Sequence, residues 1–112
     1  MIESYSFGEI IIDGRRFTRD LIIYPERIDP EWWRREGHVL NTEDIEEIIR
    51  ARPDTLIVGT GNSGVMKIPS QTRSLIESKG IKLISEKTEG ACRLYNELCK
   101  GERVVAALHL TC

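Results

Sequence analysis

The chain has 112 residues, 40% of them hydrophobic, with 16 basic residues against 18 acidic ones for a net charge of -2. That length predicts a single domain over 1–112 that folds without disulfides or metal, and the charge balance excludes a sequence-wide field for nucleic acid or an anionic membrane. No apolar run approaches the roughly 20 residues needed to span a bilayer.

The start, Met1-Ile2-Glu3-Ser4-Tyr5, lacks a basic end followed by an apolar stretch, so no signal peptide is expected. Three cysteines, Cys92, Cys99 and Cys112, have no CxxC spacing. They predict reduced thiols in a cytoplasmic protein.

The first 24 residues read as a β-hairpin. Tyr5, Phe7 and Ile11 alternate along one arm and Phe17, Leu21 and Ile23 along the other, with Asp13-Gly14 as the tight turn. Pro25 and Pro30 then break the ladder, because proline has no N–H to donate. The stretch 29–40 carries Trp32, Trp33 and His38 without a period and predicts an irregular crossover or short strand. Asn41 or Thr42 caps a helix whose apolar stripe is Ile45, Ile48 and Ile49, with Glu43 and Asp44 favouring the positive end of its dipole.

Thr55-Leu56-Ile57-Val58 is a continuous apolar run of the kind buried on both faces of a sheet. The glycine-rich loop Gly59-Thr60-Gly61-Asn62-Ser63-Gly64 follows. Pro69 fits the first position of a helix with Leu75 and Ile76 inward and Gly80 as its left-handed stop. Ile81 to Ile84 predicts a strand. Thr88 is placed to cap the helix carrying Ala91, Leu94, Tyr95 and Leu98, with Gly101 closing it. Val104 to Leu110 predicts the last strand. Strands alternating with helices predict a layered α/β fold whose central sheet is largely parallel, with the N-terminal hairpin extending or packing against it.

Four stretches carry a family resemblance. They are Tyr5-Ser6-Phe7-Gly8 with Asp13-Gly14; Trp33-Arg34-Arg35-Glu36-Gly37-His38; Leu56 to Gly61; and the closing series Thr88-Glu89-x-Ala91, Tyr95-Asn96-x-Leu98 and His109-Leu110-Thr111-Cys112. Nearly end to end and in order, the chain resembles the adipogenesis-associated Mth-type domain family, which includes a mitochondrial complex I assembly factor. The resemblance implies a three-layer fold around a mixed sheet and a role in protein assembly, hence a protein partner, rather than a defined reaction. Around the loop the family pattern is G-x-G.

The loop is the first candidate site, with Gly59, Thr60, Gly61, Asn62, Ser63 and Gly64 as ligand-binding candidates. It matches G-x-G-x-x-G after a strand, and Glu86 lies where a dinucleotide fold places its ribose-binding acid. Against that reading, Val65 to Ile68 separate the motif from its helix, and 112 residues leave little room for a second half-site. The remaining readings are a tight turn that lets two backbones pass closely and a small-anion site made of loop amides. No cofactor is implied.

Trp33, His38, Thr88, Asn96 and His109 are secondary candidates. Trp32 and Trp33 with Arg34 and Arg35 fit either a partner-binding patch or one tryptophan packed in the core beside solvated arginines. His38 fits a ligand or base as well as a structural hydrogen-bonder. Capping accounts for Thr88 and local hydrogen bonding for Asn96. His109 and Cys112, three apart on a strand, point to opposite faces and are poorly placed to share a metal. Cys92 and Cys99, two helical turns apart, are too distant for a disulfide and read as buried and inert. A binding module with a protein partner is the leading reading, either hetero-assembly or a homo-oligomer joined through an edge strand or the tryptophans. The alternative is a small anionic ligand, bound or turned over at the loop. No catalytic or metal-binding set converges in the sequence.

Overall fold

A computed structural model describes all residues from 1 to 112. The N-terminal part is a three-stranded antiparallel meander of β1 (Ile2–Ser6), β2 (Glu9–Ile12) and β3 (Arg15–Phe17). Asp13 and Gly14 turn β2 into β3 with φ of 49° and 80°. The arm expected to run unbroken from Tyr5 to Ile11 is instead folded in two. Gly8 takes φ of 78°, which glycine alone adopts readily, and Phe7 sits exposed at the turn. Alternation was interrupted by a reversal that its own glycine supplies.

Leu21 and Ile23 do not continue the hairpin either. They belong to β4 (Leu21–Ile23), in a separate five-stranded sheet with β5 (Ile28–Asp29), β6 (Thr55–Gly59), β7 (Lys82–Glu86) and β8 (Val104–Leu108). Its order is β5-β4-β8-β6-β7, parallel where β6 pairs β8 and β7, antiparallel where β4 pairs β8 and β5. The central sheet is therefore mixed. β6 and β8 are buried along their whole lengths, as their unbroken apolar runs require.

Three helices complete the layers: α1 (Glu46–Ala51), entered through a 3₁₀ turn over Thr42–Ile45, α2 (Ser70–Ser78) and α3 (Thr88–Leu98). Asp44 reaches back to accept a hydrogen bond from the Asn41 amide at 2.8 Å, fixing the start of that turn. Helix α1 ends on Arg52, at φ of 50°, and Gly80 takes φ of 75° just past α2. On one face of the central sheet, α3 and the meander enclose Ile10, Ile12, Ile57, Ala91, Cys92, Ala106 and Leu108. On the other, α1, α2 and the crossover enclose Trp32, Leu40, Ile48, Leu56, Val58, Ile76 and Val105. Three layers around a mixed sheet result. No helix is long and apolar enough to cross a membrane.

Candidate functional site

β6 and β8 run parallel and end side by side, so Gly59 is paired with Leu108 and the two following segments leave the sheet together. The glycine loop and His109-Leu110-Thr111-Cys112 are those segments. Their backbones are bonded to each other: His109 N–H donates to Gly59 O at 3.0 Å, Asn62 N–H to Thr111 O at 2.6 Å and Val65 N–H to Cys112 O at 3.2 Å. Three further loop amides are also engaged. Thr60 donates to Glu86 O at 2.9 Å, Gly61 to Thr88 Oγ1 at 2.9 Å and Gly64 to Gly61 O at 3.3 Å.

The glycines answer to that proximity. A Cβ on Gly61 would sit 2.3 Å from the Cys112 carbonyl and 2.9 Å from the His109 ring, and its φ is 110°. A Cβ on Gly59 would sit 2.9 Å from both Leu108 Cδ2 and Thr88 Oγ1. The loop is thus a tight turn that admits a second backbone. The helix that follows it in the chain begins only at Ser70, and the helix start that meets the motif is that of α3, whose Thr88 N–H donates to Gly61 O at 3.1 Å. An anion seeking the amides of Thr60, Gly61 and Asn62 would have to displace Glu86, Thr88 and residues 109–112.

Thr88 has a different task from the one its position suggests. Lys87 is the N-cap of α3 and Thr88 is its first helical residue. Its hydroxyl is fully buried, donates to His109 O at 2.6 Å and accepts from Gly61 N. It ties helix, loop and tail together. Asn96, on the same helix, pairs its side-chain amide with both the N–H and the C=O of Ile2, at 2.9 and 2.7 Å. It acts as a one-residue strand along the edge of β1.

His109 enters a buried polar cluster that the tail brings beside Asp20 and Arg34. Asp20 Oδ2 lies 2.7 Å from His109 Nδ1 and accepts from Arg34 Nη2 at 2.8 Å, while Oδ1 accepts from the Leu110 amide at 2.8 Å. Arg34 Nη2 gives its other hydrogen to Gly37 O at 2.8 Å. Both its hydrogens being used, its 3.1 Å approach to His109 Nδ1 is contact without a bond, and Nδ1 carries the proton that Asp20 accepts. Burial pushes the Asp20 carboxyl up, but the hydrogen bonds from His109, Leu110 and Arg34 together outweigh it and hold Asp20 below its ordinary value.

Sequence reasoning singled out His109 but missed both partners. Arg34 was read as solvated. Its side chain is 4% exposed, stacked 4.6 Å over the Trp32 ring, because Asp20 gives it a counter-charge inside. No local spacing links Asp20, Arg34 and His109: the β4–β8 pairing sets Asp20 beside His109, and the Trp32 N–H bond to Asp20 O brings the crossover's Arg34 to them. Three nitrogens of this cluster, Arg34 Nε and Nη1 and His109 Nε2, are buried without a partner. The His38 ring lies edge-on to that of His109 at 5.6 Å between centroids, while His38 itself is exposed.

The two tryptophans divide. Trp32 is buried and its Nε1 donates to Asp44 O at 3.3 Å; Trp33 is 79% exposed. A groove of about 440 Å³ runs past both, lined also by Tyr24, Asp29, Glu43, Asp44, Glu46 and Glu47 among others. The three cysteines are free; Cys92 is buried and Cys112 exposed, while Cys99 is only half-buried, against the expectation that it was buried with Cys92. Burial pushes the Cys92 thiol up to about 12.

A family model described as "Protein of unknown function (DUF498/DUF598)" matches residues 2–109. The chain belongs to that family. It is 28% identical over 109 residues to NADH dehydrogenase (ubiquinone) 1 alpha subcomplex assembly factor 3 of both Rattus norvegicus and Homo sapiens, in each case over 95% of this chain. The chain spans 57% and 58% of those relatives' lengths. A crystal structure of a conserved hypothetical protein from Pyrococcus horikoshii OT3 superimposes with a TM-score of 0.86 at 32% identity, covering 100% of this chain and 99% of that one. The resemblance to a family with a complex I assembly factor among its members is thereby established.

Proposed function

We propose that residues 1–112 form one protein-binding, assembly-type domain of the cytoplasm, which acts by docking to a partner protein and carries out no reaction of its own. One observation carries this reading: Trp33 stands 79% exposed between two residues that are fixed in the core. Trp32 N–H donates to Asp20 O at 2.9 Å and Arg34 is held by Asp20 and Gly37, so the indole is displayed on a rigid segment. A pre-ordered tryptophan loses little entropy on binding, which is why such residues dominate interface energetics. Glu43, Glu46 and Glu47 along the groove beside it are paired with Arg35, Arg50 and Arg27, so the aromatic face is what the groove offers a partner. The assembly-factor relatives support the same role.

The test is quantitative capture of partners by the wild-type chain and by Trp33→Ala. A partner held by the wild type should bind the variant about 30-fold more weakly, the loss of a hot-spot residue of about 2 kcal/mol. Equal capture by both, or none by either, overturns the proposal.

The buried nitrogens of Arg34 and His109 favour a second reading, a small oxyanion held by these side chains next to the loop 59–64. Phosphate and acetate would then raise the melting temperature of the wild type. A flat response rejects it.

A further inference from the structure

The central sheet ends on β7, and nothing is paired to its outer side. Lys82 N–H donates inward to Asp54 O at 3.0 Å, and Glu86 O accepts inward from Thr60 N at 2.9 Å. Along a strand, backbone groups of alternate residues face opposite neighbours. Lys82, Ile84 and Glu86 therefore bond to β6, and Leu83 and Ser85 turn their N–H and C=O groups outward. The strand is half-exposed where β6 and β8 are sealed, and an unpaired ladder of this kind is a template for another strand.

We infer that this edge binds a second copy of the chain, β7 against β7, antiparallel about a two-fold axis through Ile84. The free groups fix the register. Only residues whose backbones face outward can exchange hydrogen bonds, so Leu83 must meet Ser85 of the other copy, and Ser85 its Leu83, which gives two complete bonded pairs. The same register sets Ile84 against Ile84 and Lys82 against Glu86, twice. Shifting by two residues either way leaves only one complete bonded pair within the strand and separates those charges. The Lys82-x-Ile84-x-Glu86 pattern is thus self-complementary in the one register that uses every free group, and all three side chains share one face of the sheet. An isologous two-fold contact of this kind closes after two copies and does not propagate. Glu86 gives its carbonyl to Thr60 of the glycine loop and its side chain to this contact, while Trp33 lies outside β7, so the contact is independent of the partner-binding reading.

Charge reversal on the two exposed ends tests it by sedimentation over a concentration series. The wild type should rise about twofold in mass. Lys82→Glu sets Glu against Glu86, and Glu86→Lys sets Lys against Lys82, so each variant alone should remain monomeric. Mixed together, the two restore opposite charges at both ends and should form a heterodimer. A wild type that stays monomeric throughout overturns the inference, as does a dimer that neither reversal weakens. A second measurement needs no variant: amide exchange at Leu83 and Ser85 should slow as wild-type concentration rises, while Lys82, Ile84 and Glu86 stay unchanged. Exchange at Leu83 and Ser85 that is independent of concentration counts against it equally.

Discussion

Single residues at the carboxyl end of the sheet are held by neighbours with almost no freedom to move, and this determines what substitution there should do. Gly61 combines φ of 110° with a second backbone 2.3 Å from where its Cβ would be. Strain and overpacking each cost about 1–3 kcal/mol, and neither contact is the end of a flexible side chain, so Gly61→Ala should destabilise by about 2–6 kcal/mol. Gly37, with nothing within 4 Å of its Cβ position, should accept alanine nearly neutrally. Urea unfolding of the two variants checks the contrast; equal losses would show that the crowding at Gly61 is relieved without cost. Asp20 makes a different prediction. Its removal leaves the Arg34 guanidinium buried without a counter-charge, so Asp20→Asn should cost about 3 kcal/mol at neutral pH. Because the folded carboxyl titrates below its ordinary value, its contribution is complete above the unfolded value of about 3.9 and is lost as pH falls through the lowered one. The gap between wild type and Asp20→Asn should therefore narrow on acidification below that range. A gap constant with pH would mean that Asp20 acts here through shape alone.

At the scale of elements, the sequence was most legible where one chemical demand acted alone. The apolar runs of β6 and β8 had to be buried on both faces, and they are. Gly80 had to stop α2, and it takes the left-handed conformation just past the end. Reading failed where two demands competed for the same residues. Alternation from Tyr5 to Ile11 fitted one strand, but Gly8 turns the chain and gives its N–H to Leu110 O at 2.8 Å, a partner about a hundred residues away. Thr88 looked like a cap because it opens a helix, yet its hydroxyl is taken by Gly61 and His109. The candidate site was legible in its parts and illegible as a whole. The loop and His109 stood out by residue type, whereas Asp20 and Arg34 carry no spacing that marks them; the antiparallel return of β4 along β8 places Asp20 beside the histidine, and the crossover bonded to Asp20 brings Arg34. The meaning of the loop also depended on tertiary contact. Its glycines look like a phosphate cradle until the tail is seen occupying that space.

At the scale of the molecule, two cores lie back to back on one sheet, and the sheet couples them. Successive residues of β8 alternate between them: Val104, Ala106 and Leu108 face α3 and the meander, and Val105 and Ala107 face α1 and α2. Leu56 and Ile57 on β6 divide in the same way, both fully buried. Neither layer can lose its packing without loosening strands that the other layer needs, so residues 1–112 should unfold as one unit. Ile57→Ala and Leu56→Ala should each cost about 2–5 kcal/mol, out of a total that for a domain of this size is about 5–15. Trp32 sits in the Leu56 core and not in the Ile57 core, which makes the two faces separately visible. If the sheet couples them, Ile57→Ala shifts the fluorescence midpoint in urea as far as it shifts the far-ultraviolet circular dichroism midpoint, although it touches the opposite face from Trp32. A fluorescence transition left at its wild-type position while the dichroism moves would mean that the meander and α3 can melt alone. If the two midpoints move together, the tail 109–112, bonded to Asn62 in the loop, Gly8 in the meander and Asp20, adds a second link between the halves beside the sheet.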